Sequence, residues 1–229
     1  MECSPRWRYR RRKPFIILAL GDSKTAPDSQ TWAYILAQSI KTTANTQWRA
    51  IELGRGGYRV DNTLNNLTTN NDGQFSSAII PSALTNCQTS TNSLDHCREA
   101  LNGAQPEYIL INLGVNDVGF TPPWSLPNQT TWQNNYIAIL DALNAQWPDS
   151  LIYITKPWKA QSGGDDAVWD TMAGWIDNVV AARPAFTFVG DDERAWFEPN
   201  TATYSDDDIH YNAEGQAAAA DAKQTALGY

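Results

Sequence analysis

Six consecutive apolar residues, Phe15-Ile16-Ile17-Leu18-Ala19-Leu20, stop at Gly21-Asp22-Ser23. A short apolar run closed by glycine reads as a buried parallel strand that ends in a turn. Asp28-Ser29-Gln30 then offers a cap for a helix carrying Trp32, Ile35, Leu36 and Ile40 on one face. Ser23 therefore stands at the carboxyl end of a first strand, where open α/β sheets bind their ligands. A serine in that place needs a base, an orienting acid and oxyanion donors before it can react.

The same alternation continues down the chain. Further strands are predicted at 48–53, 108–113, 151–155 and 186–189, and the first two of these end at Gly54 and Gly114. Helical spacing follows at 132–143 and 165–182, and Asn212 opens a last helix from Ala213 to about Leu227. Residues 61–95, rich in Asn, Thr and Ser, read as a long surface excursion, and 94–101 as a short helix. After the fifth strand a loop is expected as far as Tyr211. Strands alternating with helices imply right-handed crossovers and a parallel sheet covered on both faces. All the strand-end turns then fall on one edge, so Ser23, Gly57 and Asn116 are expected to meet there.

The 229 residues are expected to form one domain, 14–229, behind a basic tail, 1–13, read as disordered. Six of the 17 basic residues and one of the 25 acidic residues precede Pro14, which leaves 11 against 24 and a net charge of −13 for the body. An acidic body argues against a general nucleic-acid binder. The tail followed by an apolar run imitates a signal peptide, but six residues without a small-residue cleavage site read better as a strand. No segment approaches the ~20 apolar residues of a membrane span. Cys87 and Cys97 lie ten apart in a polar loop, and a disulfide between them would favour an extracytoplasmic setting. Cys3 falls in the tail, and the compartment and oligomeric state stay open.

The inventory of bases is short: the chain has two histidines, His96 and His210. His96, beside Cys97, reads as a surface residue. His210 precedes the last helix, and Asp207 stands three residues before it, within reach of a turn that aims its carboxylate at the imidazole. Donors for an oxyanion are available in the Ser23 N–H, the uncrowded N–H of Gly57, and the side-chain amide of Asn116.

Taken together these blocks resemble the SGNH hydrolases, the GDSL esterase/lipase family. Gly21-Asp22-Ser23 looks like its nucleophile block and Gly54-Arg55-Gly56-Gly57 like its glycine block. Gly114-Val115-Asn116-Asp117 resembles its Gly-x-Asn-Asp block, and Asp207-Asp208-Ile209-His210 its Asp-x-x-His block. The blocks occur in the family's order, each at a strand end. Lys24, where the namesake motif has leucine, and Glu52, where asparagine often opens the glycine block, depart from the pattern. The resemblance implies a flavodoxin-like three-layer α/β/α sandwich with a five-stranded parallel sheet, and an esterase without metal or other cofactor. It implies Ser23 as nucleophile, His210 as base and then acid, and Asp207 as the orienting carboxylate. The implied oxyanion hole is Ser23, Gly57 and Asn116, with Gly56 a rival to Gly57.

Tyr58, Trp124 and Trp158 follow strand ends on the expected active edge and are candidate substrate contacts, with packing the alternative for each. No apolar lid helix is evident, so a short acyl ester, such as an acetyl group on a carbohydrate, is expected. The alternatives are a lysophospholipase or thioesterase type of lipolytic enzyme, and a non-catalytic glycan-binding or structural module on the same fold. A metal-dependent phosphohydrolase would need Asp165-Asp166, Asp191-Asp192 or Asp206–Asp208, and these carboxylates lack accompanying histidines.

Overall fold

A computed structural model of the chain describes residues 15–25, 31–44, 48–54, 56–69, 105–119, 124–159 and 166–229. The expectations for the basic tail, the cap at 28–30, the helix at 94–101, His96 and the pair Cys87 and Cys97 lie outside these residues.

The first strand, β1 (Phe15–Gly21), is followed by α1 (Trp32–Ala44), β2 (Trp48–Gly54), α2 (Val60–Thr69) and β3 (Tyr108–Asn112). Then come α3 (Gln129–Gln146), β4 (Leu151–Lys156), α4 (Asp166–Ala181) and β5 (Thr187–Asp192). Two short helices, α5 (Glu193–Trp196) and α6 (Thr201–Tyr204), are joined by a 3-10 turn, and α7 (Ala213–Ala226) closes the chain.

The five strands form one parallel sheet in the order β2-β1-β3-β4-β5. β1 is an interior strand, between β2 and β3, and Ile16 through Leu20 are at most 2% exposed, which is why its sequence is apolar without alternation. β2 and β5 are the two edges, and on β5 Phe188 and Val189 reach solvent. Helices α1 and α7 pack together, while α2 packs on α3 and α3 on α4. Because the β1–β2 and β2–β3 crossovers run in opposite directions along the sheet, the two groups lie on opposite faces, giving three layers. The chain leaves β1 toward β2 and then crosses back to β3, so the topological switch lies between β1 and β3. In such sheets the crevice at the switch point is where ligands bind. Ser23 and Asn116 flank it.

Two expectations are corrected. Residues 60–69 form a helix and not an irregular excursion: Val60 and Thr63 are fully buried, Leu64 packs on the core, and the carboxylate of Asp117 accepts the first N–H, from Val60, at 3.2 Å. The polar composition of this helix hid a narrow buried stripe. The stretch after β5 is likewise not a plain loop, since Asp192 caps α5 by accepting the Arg194 N–H at 3.0 Å.

Candidate active site

The turn after β1 is shaped by glycine. A Cβ on Gly21 would come within 2.6 Å of the Asn112 carbonyl oxygen and 2.3 Å of Thr25 Oγ1. Only glycine lets β1 approach the end of β3 this closely while turning out of the sheet. The turn is held by the Asp22 N–H on the Asn112 carbonyl at 3.3 Å and the Thr25 N–H on the Asp22 carbonyl at 3.1 Å. Asp22 is wholly buried. One carboxylate oxygen accepts the Lys24 N–H at 3.0 Å, and burial pushes its pKa up to about 7 against the pull of that bond and of the Lys24 charge. Ser23, between them, is partly open to solvent.

The candidate base, His210, arrives from the other end of the chain. A bridge between Ser205 and Tyr211 pinches off the intervening loop, and Asp208 adopts φ 66° within it. Aspartate is among the few residues that tolerate this left-handed conformation. The turn brings Asp207 back onto its own loop: Oδ1 accepts the N–H groups of Ile209 at 3.0 Å and His210 at 2.7 Å, and Oδ2 lies 2.6 Å from His210 Nδ1. The far ring nitrogen, Nε2, lies 2.8 Å from Ser23 Oγ, across 187 residues of sequence. Burial alone would raise the Asp207 carboxyl. The bonds from the His210 ring, the two N–H groups and the imidazole charge outweigh it and hold the pKa at about 2. Asp207 is thus an anion at every pH where an esterase would be assayed, and it fixes the Nδ1–H tautomer that leaves Nε2 facing the hydroxyl.

The glycine block lies alongside. A Cβ on Gly56 would meet Ser23 Cβ at 3.9 Å. Gly57 has φ +76°, a conformation that side-chain-bearing residues rarely adopt, with open space around its Cα. Asn116, 9% exposed, donates one amide hydrogen to the Tyr58 carbonyl at 3.0 Å. That bond ties the end of the third strand to the glycine block and leaves the second amide hydrogen available as a donor. The next residue, Asp117, caps α2, and burial lifts its pKa to about 7 despite the Val60 N–H.

The aromatic candidates divide. Tyr58 is half-buried and holds Asn116 through its carbonyl, and Trp124 is partly buried against the core. Trp158 is a correction: it is only 7% exposed and its ring meets Phe197 edge-on at 5.6 Å, so packing explains it. The acids considered as metal ligands also have structural duties. Asp191 pairs with Lys223 at 3.0 Å and accepts from Thr155 at 2.7 Å, Asp192 caps α5, and Asp206 accepts from Asn212 at 3.2 Å. Among the described residues no group of three or more His, Cys, Asp or Glu side chains is placed to hold a metal ion, and no helix is long and apolar enough to cross a membrane.

Sequence reasoning missed Glu193. It follows two aspartates and reads as one more solvated acid, yet it is completely buried, paired with Lys24 at 2.6 Å. Nothing in its sequence neighbourhood marks it. The unusual Lys24 beside Ser23 was the only hint that an acid must be buried nearby.

Comparison with known proteins bears on the fold and the family. No significant match exists among curated protein sequences. Solved structures share the fold at low identity. An acetylxylan esterase from Geobacillus stearothermophilus is 13% identical with a TM-score of 0.61, covering 94% of each chain. A carbohydrate esterase family 3 protein from Talaromyces cellulolyticus is 18% identical with a TM-score of 0.61, covering 93% of this chain and 96% of the other. A further acetyl xylan esterase is 16% identical with a TM-score of 0.64, covering 93% and 100%. The model of the GDSL-like lipase/acylhydrolase family matches residues 19–218, a span that takes in all four sequence blocks. The chain therefore belongs to the GDSL-like lipase/acylhydrolase family.

Proposed function

We propose that the protein is a serine esterase acting on short-acyl carboxylic esters, acetyl groups on carbohydrate among them. The observation that carries this reading is the continuous relay Asp207–His210–Ser23, with contacts of 2.6 and 2.8 Å. Ser23 Oγ attacks the ester carbonyl while its proton passes to His210 Nε2. The carbonyl oxygen becomes an oxyanion, received by the N–H groups of Ser23 and Gly57 and the amide of Asn116. His210 then returns the proton to the departing alkoxide, leaving the acyl group on Ser23. A water, deprotonated by the same nitrogen, releases the acid and restores the serine.

The short-acyl preference is supported by the shape of the edge. The His210 and Asp207 side chains are about half exposed, 48% and 52%, so an ester on a bulky alcohol can reach them. A cavity of about 160 Å³ bordered by Asp117, the residue after Asn116, carries the polar side chains of Arg59, Asp61, Asn128, Thr131 and Asn135 beside the apolar Pro127 and Trp132, and these polar groups offer partners to a hydroxyl-bearing substrate. The esterases that share the fold include proteins described as acting on acetylxylan. Tyr58 and Trp124 are the proposed aromatic contacts.

The test is covalent labelling by a fluorophosphonate, with turnover of p-nitrophenyl esters from acetate to palmitate. Wild type should label at Ser23 and prefer the shortest chains, and Ser23→Ala should lose both label and turnover. Activity retained in Ser23→Ala would refute the mechanism. A preference for long chains would replace the substrate assignment with a lipolytic one.

A further inference from the structure

We propose that Glu193, with Lys24 and Tyr211, is a positioning unit that sets the distance between Ser23 and His210; this rests on the serine-esterase reading above. Glu193 begins α5 at the end of β5, and its side chain and that of Lys24 are both 0% exposed. An ionised carboxylate has about four lone-pair sites. Glu193 meets four donors. Oε2 accepts Lys24 Nζ at 2.6 Å and the Trp158 N–H at 2.8 Å. Oε1 accepts Asn112 Nδ2 at 2.9 Å and the Tyr211 hydroxyl in a short bond. The carboxylate is saturated, and its donors come from the ends of β1, β3 and β4 and from the His210 loop.

Two of those donors are the residues that immediately follow the nucleophile and the base in sequence. Lys24 also donates to the Trp158 carbonyl, and its ammonium lies 4.8 Å from the centre of the Phe197 ring and 5.1 Å from that of Tyr211. Burial and the neighbouring Glu193 charge push the Tyr211 phenol well above its ordinary range, so it stays a donor. The hub thus forms a closed path from Ser23 through Lys24, Glu193 and Tyr211 to His210, shut at the top by the 2.8 Å contact. On the exposed side of the loop Asp207 bonds, among the described residues, within its own loop, to Ser205, Ile209 and His210, and Asp206 accepts from Asn212 at 3.2 Å. Proton transfer requires placement within about 0.5 Å, and misplacement by 1 Å costs about 10²-fold in rate. Tyr211, fixed to the same carboxylate as Lys24, supplies that placement.

Tyr211→Phe removes only the hydroxyl and keeps the ring against Phe197 and Trp196. Its kcat on p-nitrophenyl acetate, per serine titrated by fluorophosphonate, should fall about tenfold to 10²-fold with KM within about twofold. The rate constant of labelling should fall by the same factor, because labelling uses the same serine and imidazole. Glu193→Gln, which keeps the volume, should behave likewise and serves if Tyr211→Phe does not fold. The control is the second buried ion pair, Lys223 with Asp191, both 3% exposed, which touches neither loop through hydrogen bonds. Lys223→Met should lower the melting temperature and leave kcat within about twofold. Wild-type kcat per titrated serine in Tyr211→Phe and Glu193→Gln overturns the proposal. So does a Lys223→Met variant that loses kcat as steeply as they do, since the loss would then track any buried ion pair. An active Ser23→Ala would instead overturn the esterase mechanism, whereas an inactive one beside a fully active Tyr211→Phe removes only the positioning unit.

Discussion

Asp22→Asn should flatten the pH dependence of stability. Asp22 is fully buried, and its pKa rises from 3.8 to about 7, first through burial and secondarily through the Glu193 and Asp117 charges, against the Lys24 N–H and ammonium. Below pH 3.8 the carboxyl is protonated in both the folded and the unfolded chain. Between 3.8 and about 7 the unfolded chain loses that proton and the folded one keeps it, so stability falls as pH rises. Above about 7 the penalty is complete. A shift of three units at 1.36 kcal/mol each amounts to about 4 kcal/mol. Asparagine carries no such charge. Its oxygen can still accept the Lys24 N–H at 3.0 Å, and its amide replaces Oδ2, which has no hydrogen-bond partner among the described residues. The two proteins should therefore be similar at pH 4 and diverge toward pH 8. At 2–4 °C per kcal/mol for a chain of this size, the wild type should lose about 8–16 °C more than the variant across that range. Glu52, raised to about 8 chiefly by burial, adds a slope of the same sign to both proteins that cancels in the difference, whereas Asp117, raised to about 7 and coupled to Asp22 through charge, cancels only in part. Thermal unfolding followed by near-UV circular dichroism at pH 4, 6 and 8 measures it. Parallel profiles for the two proteins would show that the buried carboxyl is ionised throughout and that the reasoning fails.

Asn116→Ala should lower kcat by about 10²- to 10³-fold, the loss of one oxyanion donor, with little change in fluorophosphonate site count. Gly57→Ala forces an L-residue to φ +76°, at a cost of roughly 1–2 kcal/mol, and the relaxation of the turn should appear as reduced kcat. Gly56→Ala places a methyl 3.9 Å from Ser23 Cβ without strain and should raise KM instead, so steady-state kinetics on the pair separates the two glycines. Gly21→Ala sets a methyl 2.6 Å from a backbone oxygen at the β1–β3 join and should lower the melting temperature and activity together, as unfolding scans and ester assays would record.

The sheet was legible because its central strands announce themselves. The run from Ile16 to Leu20 is buried on both faces, so burial leaves an uninterrupted apolar signal, and all five strands lie within a few residues of their expected ends. The last helix was legible through its cap, since the Asn212 side chain accepts the Gly215 N–H at 3.0 Å as its position implied. Helix α2 was not, because its composition is polar and its anchor, Asp117, lies 57 residues away. Trp158 misled for a related reason: a tryptophan in a loop after a strand is the same in sequence whether it faces substrate or the core.

Sequence alone determined the alternation of strands and helices and the residue types that the proposed serine relay needs, because periodicity and short motifs are local properties. It also placed Asp207 against His210, since three residues suffice to close that turn. Only the tertiary structure decided that His210 Nε2 stands 2.8 Å from Ser23 Oγ and that Lys24 finds its counter-charge in Glu193. Those contacts span 187 and 169 residues, and their geometry depends on how the ends of the parallel strands are drawn together at one edge, a relation that no local pattern encodes.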